Sequence, residues 1–166
     1  PTAVLSTHTG FPAPQVQPMT ENLLPFASHM ASVGGDFDGI CTGYLSDPIQ
    51  AEAVCQVLDK FDCLKVIDPA MGDHGKLYSR MTPDHVEAMK KLCRRGNFLL
   101  PNLTEAAMLT GQEFRDDQQE NYVNKLLEML PQKTVVLTGV GYEPGTTGVA
   151  VRQGREYFHV AHSKVE

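Results

Sequence analysis

The sequence predicts an α/β protein, a three-layer α/β/α sandwich built on a mostly parallel central sheet. Two observations predict it. Short apolar runs alternate with helix-like stretches from Val4 to Leu137, and two acidic segments, Asp68 to Tyr78 and Pro101 to Glu105, each follow one of those runs directly. A third pattern, Gly148 to Val151 and Tyr157 to Val160 around a turn at Gly154, adds an antiparallel hairpin near the end.

Val4 to Ser6 begins a short strand. Thr20 is expected to cap a helix whose apolar residues Leu23, Leu24, Ala27, Met30 and Ala31 keep a three-and-four spacing, with Pro25 early enough to be tolerated and Gly34 and Gly35 ending it. Phe37 to Leu45 follows as a buried strand. Asp47 before Pro48 is a helix start, because proline at the first helical position gives up no needed hydrogen bond, and Val54, Val57, Leu58 and Phe61 supply its core face.

Leu64 to Ile67 is the next strand, and Thr82-Pro83 opens a further helix after the acidic loop. Asp84 and Glu87 lie near its start and Lys90, Lys91, Arg94 and Arg95 near its end, the order that the helix dipole favours. Phe98 to Leu100 is a short strand. Thr104 is expected to cap a brief helix ending at Gly111, Gln118 to Leu130 forms a longer helix, and Thr134 to Leu137 is a buried strand. No repeat or low-complexity linker interrupts this order, so residues 1–166 read as one domain.

Composition narrows the function. Fourteen basic residues against twenty acidic ones give a formal net charge of −6, which disfavours nucleic-acid binding. Cys41, Cys55, Cys63 and Cys93 form no CxxC pair and fit a reducing, cytoplasmic setting. No apolar run approaches the ~18 residues of a membrane span, and the first residues carry no targeting pattern. The chain begins without Met and ends on a strand-like run, so it is expected to be a segment of a longer protein, incomplete at both ends.

The two acidic loops suggest one shared site, because ligands of open α/β sheets bind outside the carboxyl ends of the strands. Mg²⁺ takes one or two carboxylates together with phosphate oxygens and water, which suits such a site. Aspartate and glycine after a strand, or threonine and glutamate at a helix start, are also ordinary turn and cap chemistry. Rival motifs are absent: there is no GxxxxGK[ST] loop, and Gly139 to Gly145 is no dinucleotide fingerprint. His159 and His162 point to opposite faces of a strand, which argues against a zinc pair.

Four segments in order, STHTGFP at 6–12, TGYLSD at 42–47, DPAMGDHGKLY at 68–78 and PNLTEAAMLTG at 101–111, resemble the pyridoxal kinase family of the ribokinase-like superfamily. The resemblance covers essentially the whole chain. It implies ATP-dependent phosphorylation of the 5′-hydroxymethyl group of pyridoxal, pyridoxamine or pyridoxine, with Mg²⁺, a monovalent cation and a homodimer. It implies that His8, Thr9, Gly10 and Tyr44 contact the vitamer, and that Asp68, Asn102, Glu105, Thr138 and Gly139 serve ATP. Asp73 and Glu105 would serve Mg²⁺, directly or through water.

Two departures stand out. The family's glycine-rich GTGD-type motif, which carries the acceptor-activating aspartate, does not occur in the 166 residues, so the catalytic base is expected outside the segment. Leu100 stands where many members place a hydroxyl that would contact the monovalent ion. A hydroxymethylpyrimidine kinase of the same superfamily is the nearest alternative, and a non-catalytic nucleotide- or vitamer-binding module the next.

Overall fold

The computed structural model of the chain describes residues 2–5, 7, 13 and 15–165. A small antiparallel pair, β1 (Ala3–Leu5) and β2 (Val16–Pro18), leads into α1 (Thr20–Ser32). Residue 20 is the first residue of α1 rather than its cap: Met19 occupies the cap position and supplies no side-chain bond. Then follow β3 (Gly39–Thr42), α2 (Pro48–Leu58) and β4 (Leu64–Ile67).

Asp47 caps α2 as its position before Pro48 predicts, accepting the Gln50 N–H at 2.8 Å. Gln50 is fully buried and uses both ends of its amide, accepting from Ser46 N and donating to Thr2 O. A buried side-chain amide has to be satisfied in this way, and here the requirement fastens the first residues to α2.

The acidic loop contains a hairpin that the sequence pattern did not announce, β5 (Gly72–Asp73) and β6 (Lys76–Leu77), before α3 (Pro83–Cys93). The chain continues through β7 (Phe98–Leu99), α4 (Leu103–Thr110), α5 (Glu120–Met129), β8 (Thr134–Thr138), β9 (Thr146–Gln153) and β10 (Glu156–Ser163). Helix α5 starts two residues later than expected, because Gln118 has a φ of +45° and cannot open a right-handed helix.

The main sheet has the order β10-β9-β8-β7-β4-β3. Strands β3, β4, β7 and β8 are parallel neighbours in chain order, and β9 and β10 are antiparallel additions, so the sheet is mixed and mostly parallel as expected. Successive right-handed crossovers that all advance in one direction place α2, α3, α4 and α5 on the same face. Ile67, Leu99, Val135 and Leu137 point into that face and are fully buried. On the opposite face Val66, Phe98, Val136 and Val151 are half-buried, and Phe158 and Val160 are exposed.

Arg152 on β9 supplies the end of α5. Its guanidinium donates to Leu127 O at 2.8 Å, Leu130 O at 2.8 Å and Gln132 O at 2.6 Å, satisfying carbonyls that a helix C-terminus leaves without partners. Replacing Arg152 by Met keeps the stem and removes three charge-assisted bonds, so stability in urea unfolding is expected to fall by about 2 kcal/mol. An unchanged unfolding midpoint would show that water replaces the guanidinium without cost.

Candidate active site

The parallel strands all end at one edge of the sheet, and four loops meet there. Gly43 and Tyr44 follow β3, Asp68 follows β4, Leu100 to Asn102 follow β7, and Gly139 follows β8. Backbone bonds prolong the parallel ladder beyond the strand ends: Leu100 N–H donates to Ile67 O at 2.9 Å and Thr138 N–H to Pro101 O at 2.8 Å. Asn102 and Thr138 add an isolated parallel bridge.

Helix α4 is capped by Asn102, not by Thr104. Asn102 Oδ1 accepts the Glu105 N–H and Glu105 Oε2 accepts the Asn102 N–H, both at 2.9 Å, so the two side chains satisfy the helix start reciprocally. The remaining polar groups of this turn reach across to the acidic loop. Glu105 Oε1 accepts from Met71 N at 3.0 Å, Asn102 Nδ2 donates to Gly72 O at 2.8 Å, and Thr104 Oγ1 accepts from Gly75 N at 2.9 Å.

The hairpin held by these bonds turns through His74 at φ +49° and Gly75 at φ +75°. Two successive positive φ values between paired strands are the type I′ geometry that a two-residue hairpin requires. Thr104, freed from capping, is 1% exposed. Its hydroxyl therefore serves the hairpin rather than its own helix.

Asp68 is half-buried, and desolvation raises its carboxyl above the ordinary range, with the Ala70 N–H acting against that rise. Glu105 is only 3% exposed, and burial pushes its carboxyl up to about 7 although the N–H groups of Asn102, Met71 and Gly72 pull it down; the charge of Asp68 adds to the rise. Asp73 lies further out, its side chain 53% exposed and 3.6 Å from the His74 ring.

The three acids share one neighbour. The Tyr78 phenol is raised first by desolvation and then by the charges of Glu105, Asp73 and Asp68. Among the described residues no three His, Cys, Asp or Glu side chains form a ready-made metal cage. The donor set instead fits a cation that brings its own phosphate and water ligands, as Mg²⁺ does.

Beside the acidic group lies a cavity of about 1060 Å³, whose wall includes Thr42, Gly43, Tyr44, Tyr78, Ser79 and Arg80. Tyr44 and Tyr78 are 39% and 44% exposed, so both rings are accessible from it. Its far side is apolar, formed by Leu23, Ile40, Val54 and Val57. An apolar space with a few convergent polar groups is the usual form of a small-molecule site.

The sequence-predicted residues divide accordingly. Asp68, Thr138 and Gly139 lie at the ends of β4 and β8, Asn102 and Glu105 form the start of α4, and Asp73 lies on the hairpin bonded to that start, with Tyr44 on the adjoining cavity. His8, Thr9 and Gly10 lie outside the described residues. Asn102 spends its amide on Gly72 O and Glu105 N, which makes it a bracket for the loop. Sequence reasoning assigned nothing to Tyr78 or Gln118; the one available signal was Tyr78 closing the acidic segment.

The mostly parallel α/β domain, with an acidic cluster at its strand ends and an aromatic-walled cavity beside them, has the ribokinase-like fold. The chain belongs to the family described as phosphomethylpyrimidine kinase, which it matches over residues 7–166. It is 24% identical over 159 residues to the pyridoxal kinase of Dictyostelium discoideum, covering 89% of this chain and 51% of the relative.

The pyridoxal kinase structure from Lactobacillus plantarum superposes with a TM-score of 0.88 at 28% identity, covering 100% of this chain and 61% of that one. A Bacteroides thetaiotaomicron structure with pyridoxal, assigned as a phosphomethylpyrimidine kinase, gives a TM-score of 0.89 at 32% identity, covering 97% and 60%. The chain spans about half the length of the curated relatives it matches.

The raised Glu105 carboxyl has a pH consequence. Between its ordinary 4.5 and about 7 the folded chain holds a proton that the unfolded chain releases. This contribution to stability is therefore complete below pH 4.5 and is lost as pH rises through 7. In metal-free buffer, urea unfolding is expected to lose on the order of 3 kcal/mol from this group between those limits. Glu105→Gln should flatten that segment of the profile, and a wild-type profile already flat there would rule out a proton on Glu105.

Proposed function

We propose that the whole protein transfers the γ-phosphoryl group of ATP to the 5′-hydroxymethyl group of a B6 vitamer, pyridoxal, pyridoxamine or pyridoxine. The observation that carries this reading is the adjacency of the cavity walled by Tyr44 and Tyr78 to the carboxylates of Asp68, Asp73 and Glu105. Phosphoryl transfer is mainly positioning and charge neutralisation, so a flat pocket for the acceptor beside a cation-holding cluster meets its needs. The family membership, the pyridoxal kinase relatives and the pyridoxal in the Bacteroides structure support the same reading.

In this reading the Tyr44 ring packs on the heteroaromatic ring of the vitamer, and His8, Thr9 and Gly10 are further vitamer contacts that the family resemblance implies. Tyr78 lines the same cavity, and desolvation together with the charges of Glu105, Asp73 and Asp68 opposes ionisation of its phenol. Asp73 and Glu105 would hold Mg²⁺, directly or through water, beside Asp68, and the ion would supply charge neutralisation for the triphosphate. Thr138 and Gly139 receive the nucleotide, and Asn102 keeps the acidic hairpin in register with it.

The 166 residues hold no GTGD-type motif, so none of them is assigned as the acceptor-activating base. Leu100 offers no oxygen from its side chain, so it would give a monovalent cation no ligand there. No helix among the described residues is long and apolar enough to cross a membrane. A cytoplasmic homodimer is the proposed setting.

The family description also covers a second reading, phosphorylation of hydroxymethylpyrimidine. Turnover of pyridoxal and hydroxymethylpyrimidine by the whole protein, measured side by side, is expected to favour pyridoxal, and exclusive use of the pyrimidine would overturn the B6 assignment. Asp68→Asn is expected to lower kcat with MgATP by about a hundredfold, the order seen when a preorganised charge is removed from a transition state. Unaltered turnover would remove Asp68 from the site.

A further inference from the structure

Gln118 belongs to none of the motifs above, yet it is one of three non-glycine residues with positive φ among the described residues. It closes the connection between α4 and α5, residues 112–119, which is fastened at three points. A Cβ on Gly75 would lie 2.6 Å from Phe114 Cδ1, so the Phe114 ring rests directly on the acidic hairpin. Tyr122 Oη donates to Glu113 O at 2.7 Å, and Gly141 N–H donates to Gln118 Oε1 at 2.7 Å.

The last of these bonds reaches the turn that follows β8. Gly139 has a φ of +74°, Val140 N–H donates to Gly148 O at 3.1 Å, and a Cβ on Gly141 would fall 2.2 Å from Thr146 O. The turn is therefore held on one side by the start of β9 and on the other by a side chain from the α4–α5 connection. A left-handed glutamine is unfavourable by itself and persists where surrounding structure determines it.

We propose that Gln118 is a positioning residue for nucleotide binding: its amide oxygen fixes the turn Thr138 to Gly141, while Phe114 on the same connection fixes the acidic hairpin. The connection thereby sets the spacing between the two loops. This inference rests on the kinase reading above and identifies what shapes its nucleotide subsite. Gln118 acts through the backbone of Gly141.

The test uses the whole protein and three measurements: calorimetric affinity for MgADP, affinity for pyridoxal, and hydrogen exchange at the Gly141 amide. Gln118→Gly accepts the positive φ and deletes the acceptor. It is expected to weaken MgADP binding about fivefold, the loss of one hydrogen bond, and to speed Gly141 exchange. Pyridoxal affinity should be unchanged and the thermal midpoint should stay within ~2 °C. Gln118→Glu keeps an acceptor oxygen at the same reach and should retain MgADP affinity within about twofold, since one bond of this kind is all that is at stake.

Unchanged MgADP affinity in Gln118→Gly would overturn the inference and leave the kinase reading standing. Equal losses for MgADP and pyridoxal with a lowered thermal midpoint would overturn it in favour of a purely structural bond. Wild-type protein that binds pyridoxal but no MgADP would overturn both.

Discussion

The arrangement depends on the first turn of α4, where a glutamate almost removed from solvent is kept in place by backbone N–H groups. Burying a carboxyl is costly unless it is hydrogen-bonded, and Glu105 meets that condition by accepting from Asn102 of its own cap and from Met71 of the loop opposite. The same turn supplies the Asn102 amide and the Thr104 hydroxyl to Gly72 and Gly75. Helix-start chemistry and loop anchoring are thus one hydrogen-bond network, and no member can change its partner without releasing another.

That network also sets the electrostatics of the site. Asp68 raises the proton affinity of Glu105, burial raises that of both, and both act on Tyr78 together with Asp73. A cluster of this kind at neutral pH is balanced either by protons or by a cation. The choice between them is a binding equilibrium.

Much of the fold was legible because local rules agree with the global arrangement. Asp47 before Pro48 caps α2, Gly111 ends α4 in the left-handed conformation, and the apolar runs at 64–67 and 98–100 became central parallel strands. The misplacements share a cause. Threonine at a helix start reads as a cap, yet the Thr104 hydroxyl is claimed by Gly75, 29 residues away in sequence, and Asn102 takes the cap instead. The β5–β6 hairpin was hidden because two strands of two residues each leave no periodicity to detect.

The sequence alone determined the main alternation of helices and sheet strands, the acidic segments at strand ends and the resemblance that links them, since these depend on side-chain periodicity and local turn chemistry. Tertiary structure decided which polar group bonds to which. Gln118 and Tyr78 acquire meaning only from partners in other segments, Gly141 for one and three carboxylates for the other. Hydrogen bonds and charge interactions between distant residues leave no periodic trace in the chain, because their strength depends on separation in space and not on spacing in sequence.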